Sequence, residues 1–301
     1  MLRRFRLRVR APAFISSRSI AVPLLVLIGA LVALRLAAFA PDAAAQAAKK
    51  EEFTPQVGQA GKDVIWVPTP EELVERMLRM AQATPNDFVI DLGSGDGRIA
   101  ITAAKLIGAR AMGIEYNPDM VDLSNRKARE AGVDSRVKFV KADIFESDFG
   151  QASVITMYLL PGLNLRLRPK LLDMKPGTRI VSHQFNMDDW EPDERDSLEG
   201  RQAYLWIVPA KVQGGWNLAT GGQTYEISLT QRHQKVEGHV KFGRIEAGLR
   251  DARLRGDEIR FAWVDNAGVR HDFSGRVSGT TMEGVVRTDG GREGRWSAAR
   301  R

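Results

Sequence analysis

Short apolar runs alternate with amphipathic stretches between residues 63 and 210. Runs such as DFVIDL (87–92) and SVITMY (153–158) are rich in β-branched residues, whereas Leu73, Val74, Met77, Leu78 and Ala81 recur at helical spacing. Alternation of this kind predicts βαβ units around a parallel, doubly wound α/β sheet. The predicted strands are 87–92, 109–115, 136–140, 153–158, 178–185 and 202–210. One helix is predicted to begin at Pro70, with Thr69 able to cap it, and three more helices span 97–108, 117–132 and 163–174.

The pattern changes at about Val212. Short segments of alternating polarity follow, interrupted by Gly, Asp and Asn about every ten residues. This pattern predicts an antiparallel β-meander, either a sandwich or a small barrel. Trp216 near its start and Arg300 and Arg301 at its end resemble calycin-type barrels, in which a cation packs on the Trp of the first strand.

The first 47 residues have the layout of an export signal. Six arginines precede the uncharged run Ile20–Leu34, and Ala45-Gln46-Ala47 supplies small residues for cleavage. The alternative is an uncleaved membrane anchor with the rest of the chain outside. We therefore expect export to, or anchoring on, the periplasmic side of the inner membrane in a bacterium, and a mitochondrial location in a eukaryote.

These patterns predict four segments: a signal peptide or anchor (1–47), a linker (48–62), an α/β domain (63–211) and an all-β domain (212–301). The formal charge of +7 belongs mainly to the first segment, which holds seven of the 44 basic residues and one of the 37 acidic residues. The remaining chain carries +1, which argues against general nucleic-acid binding. The chain has no cysteine, so disulfides and thiolate chemistry are excluded.

The strongest chemical signal is VIDLGSGDGRIA (89–100), a strand, a glycine-rich turn and the start of a helix. Glycines there let a ligand approach the backbone next to unpaired N–H groups of the helix. The G-x-G-x-G spacing differs from a dinucleotide fingerprint, and no G-K-[ST] phosphate loop follows. Asp91 before the turn favours a ligand with positive charge rather than a pyrophosphate.

Two further acids follow the next two strands. Glu115 ends the second strand, where a carboxylate can accept both hydroxyls of a ribose. Asp143 follows the third strand, where a carboxylate can accept an adenine amine. Three acids at three successive strand ends therefore predict one nucleoside-binding site, with incidental acidic loops as the alternative.

These residues resemble the S-adenosylmethionine site of class I methyltransferases, which have a Rossmann-like fold. The similarity is greatest to the protein-lysine methyltransferases of the mitochondrial adenine nucleotide translocase and ATP synthase c subunit and to their bacterial relatives. It covers about residues 63–192. The segments that carry it are VPTPEELVERML (67–78), DLGSGDGRIAI (91–101), GIEYNPDMV (113–121), VKADIF (140–145), YLLP (158–161) and LRPKLLDMKPGTRIVS (167–182).

The resemblance implies a role for each matching residue. Asp91 and the turn residues Gly93, Ser94, Gly95 and Gly97 would hold the methionine and sulfonium part of S-adenosylmethionine. Glu115 would hold the ribose, Asp143 and Ile144 the adenine, and Thr69 would close over the amino-acid end. Tyr158 would lie beside the reactive methyl group, with a core aromatic role as the alternative.

The resemblance implies in-line methyl transfer to a protein lysine. No cluster of His, Asp and Glu has the spacing of metal ligands, so we expect a metal-independent enzyme. Tyr158 is followed by Leu159-Leu160-Pro161 rather than by the Asn-Pro-Pro-Tyr motif of amide and adenine methylases, which favours a lysine acceptor. His183 is expected to be structural, and Trp190 either an acceptor wall or a core residue. The alternative function is an exported, non-catalytic protein that binds a nucleoside or supports the β domain, which itself could bind an apolar ligand, recruit a partner or cap the first sheet.

Overall fold

The computed structural model describes residues 53–301, so the predicted leader (1–47) and the first part of the predicted linker lie outside the described residues. Within the described part, two sheets account for the strands. The first sheet and its helices consist of α1 (Glu71–Met80), β1 (Phe88–Leu92), α2 (Arg98–Thr102) with a π-helical turn (Ala103–Ile107), β2 (Arg110–Glu115), α3 (Pro118–Glu130), β3 (Val137–Lys141), β4 (Val154–Met157), α4 (Pro161–Leu172), β5 (Arg179–His183), β6 (Glu194–Leu198) and β7 (Arg201–Ile207).

The first sheet has the order β3-β2-β1-β4-β5-β7-β6 among the described strands. Strands β1 to β5 are parallel, and β7 and β6 add an antiparallel edge. This confirms the predicted α/β fold with its Rossmann-like sheet. The strand order reverses between β1 and β4, and the crevice at the carboxyl ends of two such neighbouring strands is where ligands bind in open α/β sheets.

The apolar face predicted for the first helix packs into the core. Leu73, Val74, Met77 and Leu78 are all buried in α1. The predicted cap of this helix was wrong: Pro70 is the N-cap residue, and the hydroxyl of Thr69 bonds the ring of His183 instead. A side chain engaged by a distant strand is not available to the first turn of its own helix.

Strand β6 was not predicted. Its sequence, ERDSL, has no regular alternation of polarity, and most of its side chains are exposed at the sheet edge. Edge strands pair through the backbone on one side only, so charged residues are tolerated there. The pairing with β7 is set by the reversal at Glu199-Gly200, both of which have positive φ.

The second sheet contains nine described strands and is an antiparallel meander. They are β8 (Gly214–Thr220), β9 (Gln223–Arg232), β10 (Lys235–Phe242), β11 (Ile245–Gly248), β12 (Arg250–Arg255), β13 (Glu258–Val264), β14 (Arg270–Ser278), β15 (Thr281–Thr288) and β16 (Glu293–Arg300). The first strand pairs with the last, so the order is β11-β10-β9-β8-β16-β15-β14-β13-β12. The two edge strands, β11 and β12, follow each other directly in sequence, which makes this sheet a nearly closed barrel.

Hydrophobic side chains fill the interior of the barrel. Trp216, Trp263, Trp296, Phe261 and Phe273 are all buried and pack against one another or against aliphatic neighbours. Gly275 is needed for this packing, since a Cβ there would lie 2.6 Å from the ring of Trp296. The barrel interior is therefore a packed core.

The cation expected on the Trp of the first strand is Arg300. Its guanidinium carbon lies 4.4 Å from the centre of the Trp216 ring. The same guanidinium donates to the carbonyls of Gln213 and Lys211, each at 2.5 Å. The last strand is thus tied to the segment that leads into the first strand of the barrel.

The first sheet ends at Ile207 and the second begins at Gly214, and the predicted domain boundary at 211/212 lies between them. In residues 53–301, no helix is both long enough and apolar enough to cross a membrane.

Candidate active site

A cavity of about 300 Å³ opens at the carboxyl ends of β1, β2 and β4. Asp91 lies at its base, 2% exposed, in the strand that precedes the glycine-rich turn. Its carboxylate accepts a hydrogen bond from Thr156 Oγ1 of β4 at 2.8 Å. Burial raises the pKa of Asp91 to about 7, against the opposing effect of the Thr156 hydrogen bond and with a further increase from the nearby charges of Glu115 and Asp96.

The turn after β1 is anchored to β2. The amides of Gly93 and Ser94 both donate to the carbonyl of Ile114, at 2.9 and 3.1 Å. Ser94 is 5% exposed, lines the cavity, and its hydroxyl has no hydrogen-bond partner among the described residues. The hydroxyl oxygen lies against β2, where a Cβ built on Gly113 would come within 2.5 Å of it.

Glu115 lies at the lip of the cavity where β2 ends. One carboxylate oxygen accepts from the amide of Gly95 and the other from the amide of Asn117, both at 2.9 Å. These bonds hold the carboxylate in place, and each oxygen keeps a further lone pair for a ligand hydroxyl.

Asp143 and Ile144 form another part of the wall. The carboxylate of Asp143 accepts from the amide of Phe145 at 2.9 Å and forms an ion pair with Lys62. The hydrogen bond from Lys62 lowers the pKa of Asp143, so this carboxylate stays ionised. The ammonium of Lys62 also lies 4.5 Å from the centre of the Tyr116 ring.

Lys62 belongs to a segment that covers the cavity. Residues 59–68 line it, including the last part of the predicted linker. A small hairpin forms there, in which the amide of Gly58 donates to the carbonyl of Trp66 and the amide of Gly61 to that of Val64. A Cβ on Gly95 would lie 2.8 Å from the indole nitrogen of Trp66, so the covering segment contacts the glycine-rich turn directly.

Aromatic rings form the opposite side of the cavity. Tyr158, at the end of β4, packs on His183, with ring centres 3.8 Å apart, and stacks with Phe185 at 6.1 Å. The Nδ1 atom of His183 lies 3.0 Å from the hydroxyl of Thr69. Burial lowers the pKa of His183 to about 4, so the ring is neutral at physiological pH.

The structure brings together all the sequence-predicted site residues except one. Thr69, Asp91, Gly93, Ser94, Gly95, Glu115, Asp143, Ile144 and Tyr158 line the cavity. Gly97 does not line it. Gly97 has φ of +79°, and a Cβ there would lie 2.6 Å from the ring of Phe139, so this glycine is needed for packing between the turn and β3.

Asp96 of the glycine-rich turn and Arg98, the first residue of α2, also line the cavity but were not predicted to belong to the site. Asp96 is 2% exposed and binds Arg98 and Lys127, at 2.8 and 2.7 Å. Burial by itself would raise the pKa of Asp96, but the hydrogen bonds from these two cations outweigh it and lower the pKa. Arg98 also donates to the carbonyl of Thr69 at 3.0 Å, so this network ties the turn to the residue that precedes the N-cap of α1.

Lys62, Trp66 and Phe185 also line the cavity and were not predicted. Lys62 and Trp66 precede the first segment of family resemblance and carry no periodic signal of their own. Phe185 ends the predicted strand 178–185, where an aromatic residue is typical of a core position. Trp190, for which two roles were open, is fully buried against Trp206 and does not line the cavity.

Residues 91–194 match the family model of the ANTKMT methyltransferase domain. A protein-lysine N-methyltransferase from Saccharolobus islandicus is 42% identical over 151 residues, which are 48% of this chain and 94% of that protein. The lysine N-methyltransferase of the ATP synthase c subunit from Mus musculus is 37% identical over 151 residues, 50% of this chain and 60% of that protein. These matches confirm the family resemblance.

Among solved structures, an RNA methyltransferase from Salinibacter ruber in complex with S-adenosyl-L-homocysteine is 48% identical. The match covers 48% of this chain and 96% of that one, with a TM-score of 0.48. The family model ends at residue 194, before the barrel begins.

Proposed function

Because the chain belongs to the protein-lysine methyltransferase family that includes the Saccharolobus islandicus protein, we propose that its cavity binds S-adenosylmethionine and transfers the methyl group to a protein lysine. The observation that carries the proposal is the meeting of Asp91, Glu115 and Asp143 in one cavity beside the ring of Tyr158.

The residues of the cavity fit the cofactor part by part. Glu115 has free lone pairs for two ribose hydroxyls, and Asp143 has them for the adenine amine, with Ile144 beside the ring. Asp91 offers a carboxylate to the cationic end of the cofactor. Thr69 closes over the amino-acid end.

When bound, S-adenosylmethionine supplies a methyl group on a positively charged sulfur, so the leaving group is already activated. The protein then acts mainly by alignment and proximity. The acceptor amine must arrive uncharged. Tyr158, Phe185 and Leu163 surround that side of the cavity with largely apolar surface, and an amine that loses water there has a lowered pKa. Tyr158 orients the amine toward the methyl group.

His183 supports this arrangement without taking part in proton transfer. Its ring is neutral, and it contacts both Tyr158 and Thr69. It therefore connects the acceptor side of the cavity with the segment over the cofactor.

The alternative is a non-catalytic protein whose cavity binds a nucleoside. Both functions predict binding of S-adenosylmethionine and S-adenosylhomocysteine, and only the first predicts transfer. Calorimetric titration of the full chain tests binding. Incubation with labelled cofactor and poly-L-lysine, poly-L-arginine or RNA then tests the acceptor.

We expect label on poly-L-lysine only. Asp91→Ala and Glu115→Ala should each weaken cofactor binding by about 100-fold or more, because each removes a charged, buried or backbone-anchored partner. Glu293→Ala, which removes an exposed carboxylate of the barrel, is the control and should leave the affinity unchanged. Label on RNA but not on lysine contradicts the proposed acceptor, and binding without any transfer supports the alternative.

The cellular location follows from residues that the structure does not describe. Export or membrane anchoring through residues 1–47 stays a prediction. A protein acceptor at a membrane is compatible with the ATP synthase c subunit, which is the substrate in the name of the Mus musculus relative.

A further inference from the structure

The loop between β5 and β6 (184–193) contacts the cavity at one end and the barrel at the other. Phe185 lines the cavity next to Tyr158. Asp189, Trp190 and Glu191, a few residues later, contact the hairpin that connects β9 and β10. This loop is therefore a physical link between the acceptor side of the site and the barrel.

The backbone of the loop is held in unfavourable conformations. Gln184 and Asp188 have φ of +67° and +57°, in the left-handed region that residues other than glycine seldom adopt. Such a conformation persists only where the surroundings hold it in place. The contacts around the loop must supply that restraint.

The first sheet supplies part of it. Ser182 Oγ donates to the carbonyl of Phe185 at 2.7 Å, and Asn164 of α4 donates to the carbonyls of Phe185 and Asn186 at 3.2 and 3.3 Å. Arg168 of the same helix donates to the carbonyl of Met187 at 2.9 Å. These bonds reach the first half of the loop.

In the second half of the loop, Trp206 Nε1 of β7 donates to the carbonyl of Trp190 at 2.7 Å, and the barrel adds contacts from four consecutive residues. Arg232 Nη2 binds Asp189 Oδ2 at 2.9 Å, and the ring of His233 stacks on Trp190, with centres 5.9 Å apart and planes inclined by 29°. Gln234 donates to the carbonyl of Glu191 at 2.6 Å, and Lys235 pairs with its carboxylate at 2.7 Å. Three successive residues of the loop are thus bound by one turn of the barrel.

Asp189 joins the two sets of contacts. It pairs with Arg168 of α4 on one side and with Arg232 and His233 of the hairpin on the other. A single exposed ion pair contributes little to stability, but a carboxylate shared by several partners fixes the position of its backbone. The loop between Phe185 and Glu191 is therefore held between α4 and the barrel.

We propose that the β9–β10 hairpin of the barrel is a positioning element for the methyl acceptor, which acts by holding the loop that carries Phe185. The expected effect of the hairpin on methyl transfer rests on the proposed function. It gives the barrel a role in acceptor binding although no barrel residue lines the cavity in the described part of the chain. The hairpin controls the aromatic wall beside Tyr158 and leaves the cofactor contacts of Asp91 and Glu115 untouched.

The test uses the full chain and the double variant Arg232→Ala/His233→Gly. Glycine tolerates the φ of +55° at position 233, so the hairpin backbone is retained. Arg287→Ala is a matched control. Its side chain is 73% exposed, against 71% for Arg232, and it likewise pairs with a carboxylate at 2.9 Å, but with Glu293 of the barrel itself.

We expect the double variant to raise the KM for poly-L-lysine about 3-fold to 10-fold, with the dissociation constant of S-adenosylmethionine unchanged. The single variant Arg232→Lys keeps a cation beside Asp189, so its KM for poly-L-lysine should lie much closer to the wild-type value than that of the double variant. Hydrogen exchange followed by mass spectrometry should show faster exchange in residues 185–191 and unchanged exchange in residues 91–98. The control should match the wild type in every measurement.

Unchanged exchange in residues 185–191 overturns the positioning role, and so does faster exchange with an unchanged KM. Equal weakening of cofactor and acceptor binding also overturns it, because the variant would then act on the whole site. Wild-type protein that binds cofactor but labels no lysine overturns the proposed function, and the exchange rates by themselves then support or overturn the restraint of the loop.

Discussion

The two sheets of this protein differ in how completely their side chains are packed. The first sheet leaves the carboxyl ends of its parallel strands open. Polar side chains such as Asp91 and Ser94 are buried there, and the Ser94 hydroxyl has no hydrogen-bond partner among the described residues. The barrel directs large apolar side chains inward from antiparallel strands and fills its interior. A cavity thus forms where packing is incomplete, and a filled core forms where it is complete.

Glycines illustrate the same difference. Gly95 faces the cavity and Trp66, whereas Gly275 makes room for the ring of Trp296 inside the barrel. Gly97 is closer to Gly275 than to Gly95 in its role, since it makes room for the ring of Phe139. A glycine-rich motif therefore contains positions for ligand approach and positions for core packing.

The largest effect should follow from a cavity in the barrel core. Trp296→Ala removes a ring that contacts Phe261 and Phe273, and it should lower the free energy of unfolding by about 4 kcal/mol. Because the barrel does not line the cavity, the affinity for S-adenosylmethionine below the melting transition should not change. Denaturant unfolding and calorimetry measure the two quantities, and a parallel loss of affinity would show that the two regions are not separable.

The pH dependence of cofactor binding is a property of the first sheet alone. The pKa of Asp91 is raised to about 7 by burial, and a cationic ligand favours the ionised carboxylate. Affinity should therefore rise by up to about tenfold per pH unit below pH 7 and level off above it. Calorimetry between about pH 5.5 and about pH 8.5 measures this rise.

The raised pKa of Asp91 also affects the stability of the free protein: cofactor affinity rises with pH, whereas stability falls. The folded state binds the proton of Asp91 more tightly than the unfolded state, so protonation of Asp91 stabilises the folded protein. This stabilisation is fully present below the ordinary pKa of 3.8 and is lost as the pH rises through about 7. Asp91→Asn should remove both dependences. Asp193→Asn is the control, because burial also raises the pKa of Asp193, and it should alter stability only. A flat affinity across this range would contradict the assignment of Asp91.

The smallest effect concerns the closure of the barrel. Arg300→Ala removes the cation from Trp216 and two hydrogen bonds to carbonyls, and it should lower the free energy of unfolding by about 1 kcal/mol. Arg300→Lys should lie between the variant and the wild type, and Arg295→Ala on the same strand should have less effect. Thermal unfolding distinguishes these variants, while a loss equal to that of Trp296→Ala would mean that Arg300 is part of the core.

Much of the site could be predicted because its groups follow local rules. Asp91 is the last residue but one of β1, Glu115 ends β2 and Asp143 follows β3, and the carboxyl ends of neighbouring parallel strands meet at one edge. The aromatic wall could not be predicted in the same way. Phe185 reaches Tyr158 only because the loop after β5 turns through residues with positive φ, and no periodicity encodes that turn.

The covering segment shows the same limit. Lys62 is an ordinary charged residue in sequence, yet it pairs with Asp143, 81 residues later. Likewise, the predicted capping role of Thr69 failed because His183 competes for its hydroxyl across 114 residues. Such pairings depend on distances in space, which a pattern of neighbouring residues does not contain.

The sequence by itself determined the order and type of most elements, the change from an α/β sheet to a meander at about Val212, and the three acids that meet in one cavity. These follow from side-chain periodicity and from the backbone preferences of glycine, which act over a few residues. Only the tertiary structure decided that Gly97 serves packing, that residues 59–68 cover the cavity, and that the barrel binds the loop behind Phe185. Those features arise from contacts between segments far apart in the chain, and local periodicity does not encode such contacts.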